Sequence, residues 1–201
     1  MPKILTHNHY CAAAKELKCS VAAIRAVFRV ESKEGGFDSD GRLIILFERH
    51  KFYQFTGGKF STLTDICNKK PGGYTNRNSS EWNRFEKASL CDPRAAVLST
   101  SWGRPQIMGF NANLAGYLTP EDMVEDFVTG EPAQLGAFVR IVQAFDLDDE
   151  LQRVSVAKSK LARMQEWHRF ARVYNGKNYE INKYPERLEA AFVAELKQPT
   201  L

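Results

Sequence analysis

The strongest constraint on this chain is the period of its apolar residues, which is helical over most of the length and strand-like in one early run. Leu135, Phe138, Val139 and Val142 fall on one helical face, as do Leu188, Ala191, Phe192 and Leu196. Stripes with that spacing are stable only when packed against another element. The start signals agree. Thr119-Pro120-Glu121-Asp122 sets a capping threonine, a first-turn proline and two acids at the positive end of a helix dipole, and Pro185 opens the last helix. Near the amino terminus, Thr6 caps a helix with Tyr10, Ala13, Ala14 and Leu17 on one face. Ser20 caps a second, from Val21 to about Ser32, which Gly35 and Gly36 stop.

The run GRLIILFERHKFY, introduced by the turn signal Asp40-Gly41, is the one convincing strand region and predicts a small hairpin or sheet. Residues from about 56 to 80 read as loop. A short helix follows around 81–87, then another that Asp92 caps and Pro93 begins. The expected fold class is therefore α+β, predominantly helical, with a small early β-element. No repeat or low-complexity linker divides the chain, so residues 1–201 are expected to form a single domain.

A composition of 43% hydrophobic and 26% charged residues supplies a core. The net charge of +4 suits an acidic polymer, whether nucleic acid or an anionic cell envelope, without selecting one. The opening MPKILTHNHY has no apolar run long enough for a signal peptide or membrane span, which predicts a product made and held in a cytoplasm. Cys11, Cys19, Cys67 and Cys91 form no CxxC pair, which argues against a zinc ribbon or a redox motif.

Within AVFRVESKEGGFDSDG, Glu31 continues the apolar stripe of Ile24, Val27 and Phe28. Desolvation against that stripe and the negative end of the helix dipole both disfavour its charge, so it can stay protonated near neutral pH and act as an acid. The plain alternative is a frayed helix end with the side chain in water. Enzymes that cleave bonds between sugars usually use a second carboxylate across the scissile bond, and Asp38, Asp40 and Glu48 stand near. Glu48 ends LIILFE on the face of Ile44 and Leu46, where an acid is costly unless paired, and Arg49 and His50 are its possible partners. Asp38 and Asp40 also suit an ordinary turn.

Glu31-Ser32 at a helix end, SWGRPQIMGFN at 101–111 and ARVYNG at 171–176 occur in the order found in the lysozyme-like superfamily. The sequence there resembles goose-type lysozymes and soluble lytic transglycosylases. ILFERHKFYQFTGGKF and KPGGY add a more specific similarity to the N-acetylmuramidase family of bacteriophage endolysins, over roughly residues 20 to 195.

The resemblance implies cleavage of the β-1,4 bond between N-acetylmuramic acid and N-acetylglucosamine in peptidoglycan, with Glu31 as general acid and no metal or cofactor. It implies that Ser101 and Gln106 line the saccharide cleft, and that Tyr174 lies beside Glu31 with its hydroxyl orienting the carboxyl and Asn175 next to it. Tyr174-Asn175-Gly176 also reads as a helix C-cap. For the second carboxylate, Glu48 ranks first and Asp40 close behind, because phage-type lysozymes separate a Glu and an Asp by the interval between Glu31 and Asp40.

The same reading expects a monomeric catalytic module without a wall-binding domain, no nucleic-acid partner and no stable membrane insertion. A membrane-permeabilising protein would release it from the host cytoplasm to the wall. Two alternatives stay open. One is a lytic transglycosylase giving 1,6-anhydro ends. The other is a non-catalytic binding module using Arg49, Lys59, Lys69, Lys70, Arg77 and Arg84 with Tyr74 and Trp82.

Overall fold

Two amino-terminal helices form where the sequence offers caps. In α1 (His7–Glu16) the Thr6 N–H donates to His9 Nδ1 at 3.0 Å, and in α2 (Val21–Glu31) Ser20 Oγ accepts from the Ala23 N–H at 3.2 Å. The computed structural model describes residues 3–32, 35–75, 77–176 and 179–198, and Asn76 of the expected loop lies outside them. A short strand β1 (Ile45–Phe47), α3 (Arg49–Phe55), α4 (Asn78–Cys91) and α5 (Pro93–Leu98) follow. Strands β2 (Thr100–Trp102) and β3 (Ile107–Met108) come next, with a 3-10 turn at Gly109–Asn111. Five helices complete the order: α6 (Pro120–Thr129), α7 (Glu131–Ala144), α8 (Asp148–Val156), α9 (Lys160–Tyr174) and α10 (Tyr184–Leu196).

The architecture is helical with one small antiparallel sheet, as the sequence predicts. The larger lobe buries the apolar faces of α1, α2 and α7 to α10 together. Phe28 stands at its centre, edge-on to Phe138 at a centroid distance of 5.1 Å. Helix α10 lies along α2. Aromatic clusters fill the smaller lobe, where Trp82, Phe85 and Trp102 meet edge to face.

The sheet differs from the expected early hairpin. Its order is β1-β2-β3, and β1 pairs not with a neighbour but with β2, Ile45 opposite Trp102 and Phe47 opposite Thr100. The second half of GRLIILFERHKFY is helix α3 rather than strand. The reason is backbone hydrogen bonding. Partner strand β2 runs out at Thr100, and the Glu48 N–H makes the last cross-strand bond, to Ser99 O at 2.9 Å. Beyond that point the chain satisfies its own groups, with the Lys51 and Phe52 N–H donating to Glu48 O at 2.9 and 3.1 Å.

Two buried polar side chains hold the frame around the lobes' junction. Glu131 accepts from the Leu5 N–H at 3.0 Å, the Gly36 N–H at 2.8 Å and both oxygens from the Arg104 guanidinium at 3.1–3.2 Å. It thereby fastens the loop after α2 to the β2–β3 turn. Gln134 accepts from the Arg104 N–H at 2.7 Å. All four cysteines are free thiols.

Gly109 marks the closest backbone approach behind the sheet. A Cβ there would lie 2.1 Å from Val97 O and 2.8 Å from Val97 C, at the end of α5. Gly109→Ala is expected to destabilise the protein by about 2 kcal/mol, the range for overpacking. That corresponds to a melting temperature lower by about 4–8 °C for a chain of this size, measured by circular dichroism. An unchanged melting temperature would show that the turn and α5 can separate freely.

Candidate active site

A groove of about 920 Å³ runs between the two lobes. One wall is the end of α2, the end of α9 and the start of α10. The other is β1, the start of α3 and the segment Pro71–Tyr74, with Ser101, Gln106 and Met108 between. Glu31, Glu48, Ser101, Gln106, Tyr174 and Asn175 all line it, and Asp40 does not.

Glu31 is partly buried at the terminus of α2, where the apolar stripe meets the groove. Its carboxyl is pushed up from 4.5 to about 7, chiefly by burial, against the opposing Tyr184 hydrogen bond and Arg187 charge. Tyr184 Oη donates to Glu31 Oε1. Burial and the adjacent carboxyl hold the Tyr184 hydroxyl well above its ordinary pKa, so it remains a donor. Arg187, one turn along α10, anchors the same corner by donating to Val30 O at 2.8 Å.

Tyr174 occupies the expected place but not the expected bond. Its hydroxyl donates to Pro105 O at 2.9 Å instead of to Glu31, while its ring stacks on Phe170 with centroids 5.1 Å apart. Burial is again the main reason its pKa rises, with the nearby Glu31 charge second. Tyr184 takes the carboxyl-holding part that the sequence reading gave to Tyr174. Asn175 caps α9, its N–H donating to Ala171 O at 2.9 Å, and Gly176 follows at φ +76°. The helix-end reading of Tyr-Asn-Gly therefore holds, and the same three residues face the groove.

Glu48 stands on the other wall. One of its oxygens, Oε2, accepts from Tyr74 Oη at 2.8 Å and lies 3.0 Å from His50 Nδ1. The imidazole contact has no hydrogen-bond geometry and acts as an ion pair only when His50 is protonated. Burial and the Glu48 charge raise the Tyr74 hydroxyl to about 12, so it stays a donor. Arg49, the other expected partner, is used elsewhere. Its guanidinium donates to Lys70 O at 3.1 Å and Pro71 O at 3.3 Å, stitching down the loop that carries Tyr74.

Asp40 points into water, its side chain 71% exposed, and contacts Arg42. The turn explains this. Asp38 accepts from the Asp40 and Arg42 N–H groups at 3.0 and 2.9 Å and from Asn78 Nδ2 at 2.8 Å, which folds DSDG away from the groove.

Gln106 sits between the walls in a left-handed conformation, φ +51°, of the kind that accumulates where function holds a backbone in place. Its Oε1 accepts from Ser101 Oγ at 2.9 Å and its Nε2 donates to Gly103 O at 2.8 Å. Arg49 and Arg84 of the expected basic surface are internal ties, Arg84 bonding Glu81 at 2.9 Å and Asp65 O at 3.0 Å.

A helical lobe and a small sheet enclosing a groove, with a protonatable glutamate on one wall and a second carboxyl opposite, define a lysozyme-like glycoside hydrolase. The N-acetylmuramidase family model matches residues 20–195. The solved structure of the Burkholderia AP3 phage endolysin is similar over 98% of this chain and 72% of that one, at 37% identity and a TM-score of 0.78. No curated protein matches. The chain belongs to the N-acetylmuramidase family and is a glycoside hydrolase of peptidoglycan.

Because Glu31 binds its proton more tightly in the folded state, stability falls as pH rises through the window from 4.5 to about 7, and no further loss follows above it. The whole effect is roughly 3 kcal/mol. Glu31→Gln cannot ionise and escapes the loss. Its stability relative to the parent protein is expected to rise by up to roughly 3 kcal/mol between about pH 5 and about pH 8, measured by urea denaturation. A difference independent of pH would place the carboxyl in ordinary solvent.

Proposed function

We propose that Glu31 is the general acid and Glu48 the second carboxylate in hydrolysis of the β-1,4 bond between N-acetylmuramic acid and N-acetylglucosamine. This reading is supported by both glutamates lining one groove, with burial pushing the Glu31 carboxyl up to about 7. At neutral and mildly acidic pH a large share of Glu31 is protonated and able to give its proton to the leaving glycosidic oxygen. As positive charge develops on the sugar, Glu48 either stabilises it or directs a water onto the opposite face. Tyr74 holds one oxygen of Glu48, and among the described residues the other oxygen makes no hydrogen bond.

Tyr184 positions the Glu31 carboxyl and keeps its pKa from climbing further. Ser101 and Gln106 shape the floor on which the acetamido groups lie. Gln106 bonds sugar only after exchanging a present partner, since both ends of its amide are engaged. Asp40 has no part in the chemistry.

The biological reading is that of an endolysin. The AP3 phage protein is one, and this chain shares its fold at 37% identity. We read residues 1–201 as a monomeric catalytic module made in the host cytoplasm, with a membrane-permeabilising protein giving access to the wall. Among the described residues no helix is long and apolar enough to cross a membrane.

Turbidity assays on outer-membrane-stripped bacteria separate the roles. Loss of a general acid, or of a general base that directs water, costs on the order of 10²–10⁴-fold, so Glu31→Gln and Glu48→Gln are both expected to fall by that order, and Asp40→Asn to match the parent. Wild-type lysis by either glutamine variant removes that residue from the mechanism. Mass spectrometry of the digest is expected to show reducing ends. Products lighter by one water, with 1,6-anhydro rings, would make the enzyme a lytic transglycosylase instead.

A further inference from the structure

The proposed reaction uses the two carboxyl groups and leaves without a task a cation and an aromatic ring that line the groove, with a second ring packed beside them. Phe110, in the 3-10 turn, is 39% exposed and Phe55, at the end of α3, is 43% exposed. Their rings stand 6.1 Å apart at 47°. Neither belongs to the apolar clusters that make the core. Lys51 places Nζ 5.2 Å from the centre of the Phe110 ring and forms no ion pair among the described residues. Lys51 and Phe110 both line the groove.

Building on the muramidase reading, we propose that Lys51, Phe110 and Phe55 form a binding site for the acidic stem peptide carried by the muramic acid units of the substrate. Charge and position favour the peptide over the glycan chain. In the intact polymer the lactyl carboxyl of each muramic acid is tied up as the amide to its peptide, so the glycan itself is uncharged and the carboxylates lie on the stem peptide. The ammonium already lies over a Phe110 face, the surface on which a pyranose would stack. The two rings beside it suit the aliphatic parts of short peptide side chains. Lys51 also follows Glu48 by one turn of α3, so the site is within reach of a substituent on a sugar held at the cleavage point. The ring holds the ammonium in place ahead of binding, and partial burial limits screening by salt.

The experiment compares two probes on a Glu31→Gln background, where neither is turned over. One is a disaccharide–tetrapeptide muropeptide and the other is the same disaccharide with the peptide replaced by a methyl amide on the lactyl carboxyl, so that it carries no charge. Calorimetric titration is expected to show the muropeptide binding about tenfold more weakly when Lys51→Met is added, the scale of one charge-assisted contact, with a much smaller change for the capped disaccharide. Lys51→Glu is expected to widen the gap. Lys87→Met is the control for lost charge, because that ammonium pairs with Asp65 and does not line the groove.

Equal weakening for both probes would put the ammonium on the glycan and overturn the proposal, as would no weakening for either. Thermal melting of each variant checks that it is folded. The readout is binding alone, so a failure of the catalytic roles of Glu31 and Glu48 in the lysis assay is seen separately. In the active enzyme, Lys51→Met is expected to raise about tenfold the ratio of KM for intact glycan strands to KM for stripped strands whose lactyl carboxyls are capped as methyl amides.

Discussion

The packing of α10 along α2 is the contact on which the site depends. It covers the apolar stripe that ends in Glu31 and strips water from the carboxyl. The same contact delivers Tyr184 to Glu31 Oε1 and Arg187 to Val30 O. Desolvation alone would push the carboxyl further up and make it reluctant to give up its proton. A hydroxyl donor and a guanidinium together hold the value near 7, where donation and recovery are both accessible. One interface therefore supplies hydrocarbon burial and its partial compensation.

The opposite wall is held by longer connections. Loop residues 56–75 contain little regular structure, yet Arg49 reaches across to their carbonyls and Tyr74 closes onto Glu48. Between the walls, Glu131 joins the loop after α2 to the β2–β3 turn. Buried ion pairs of this kind add little net stability, and their removal leaves an uncompensated charge. Their evident effect here is geometric. They tie the loop that follows Glu31 to the β2–β3 turn that carries Gln106.

The Glu31–Asp40 interval shows what a local signal leaves out. The spacing matches that of phage-type lysozymes, but Asp38 accepts four hydrogen bonds at its turn and leaves Asp40 in solvent. Glu48 carried a weaker spacing argument and a stronger physical one, since an acid on that strand face needed a reason. Tyr174 illustrates a different error. Its neighbourhood was legible from the YNG segment, but its hydroxyl satisfies Pro105 O, a carbonyl 69 positions away in the chain.

Local periodicity determined most of the helices, the caps at Ser20, Asp92 and Thr119, and the placing of Glu31 where hydrocarbon would surround it, because these depend on residues within a turn or two of one another. The order of motifs determined the family. Tertiary structure alone decided that Tyr184, 153 positions from Glu31, holds its carboxyl. It also decided that β1 pairs with β2 across more than fifty residues, and that FERHKFY is helix because its partner strand ends. In each case the deciding group lies far along the chain, and no period or spacing near the residue in question carries information about what packing will bring against it.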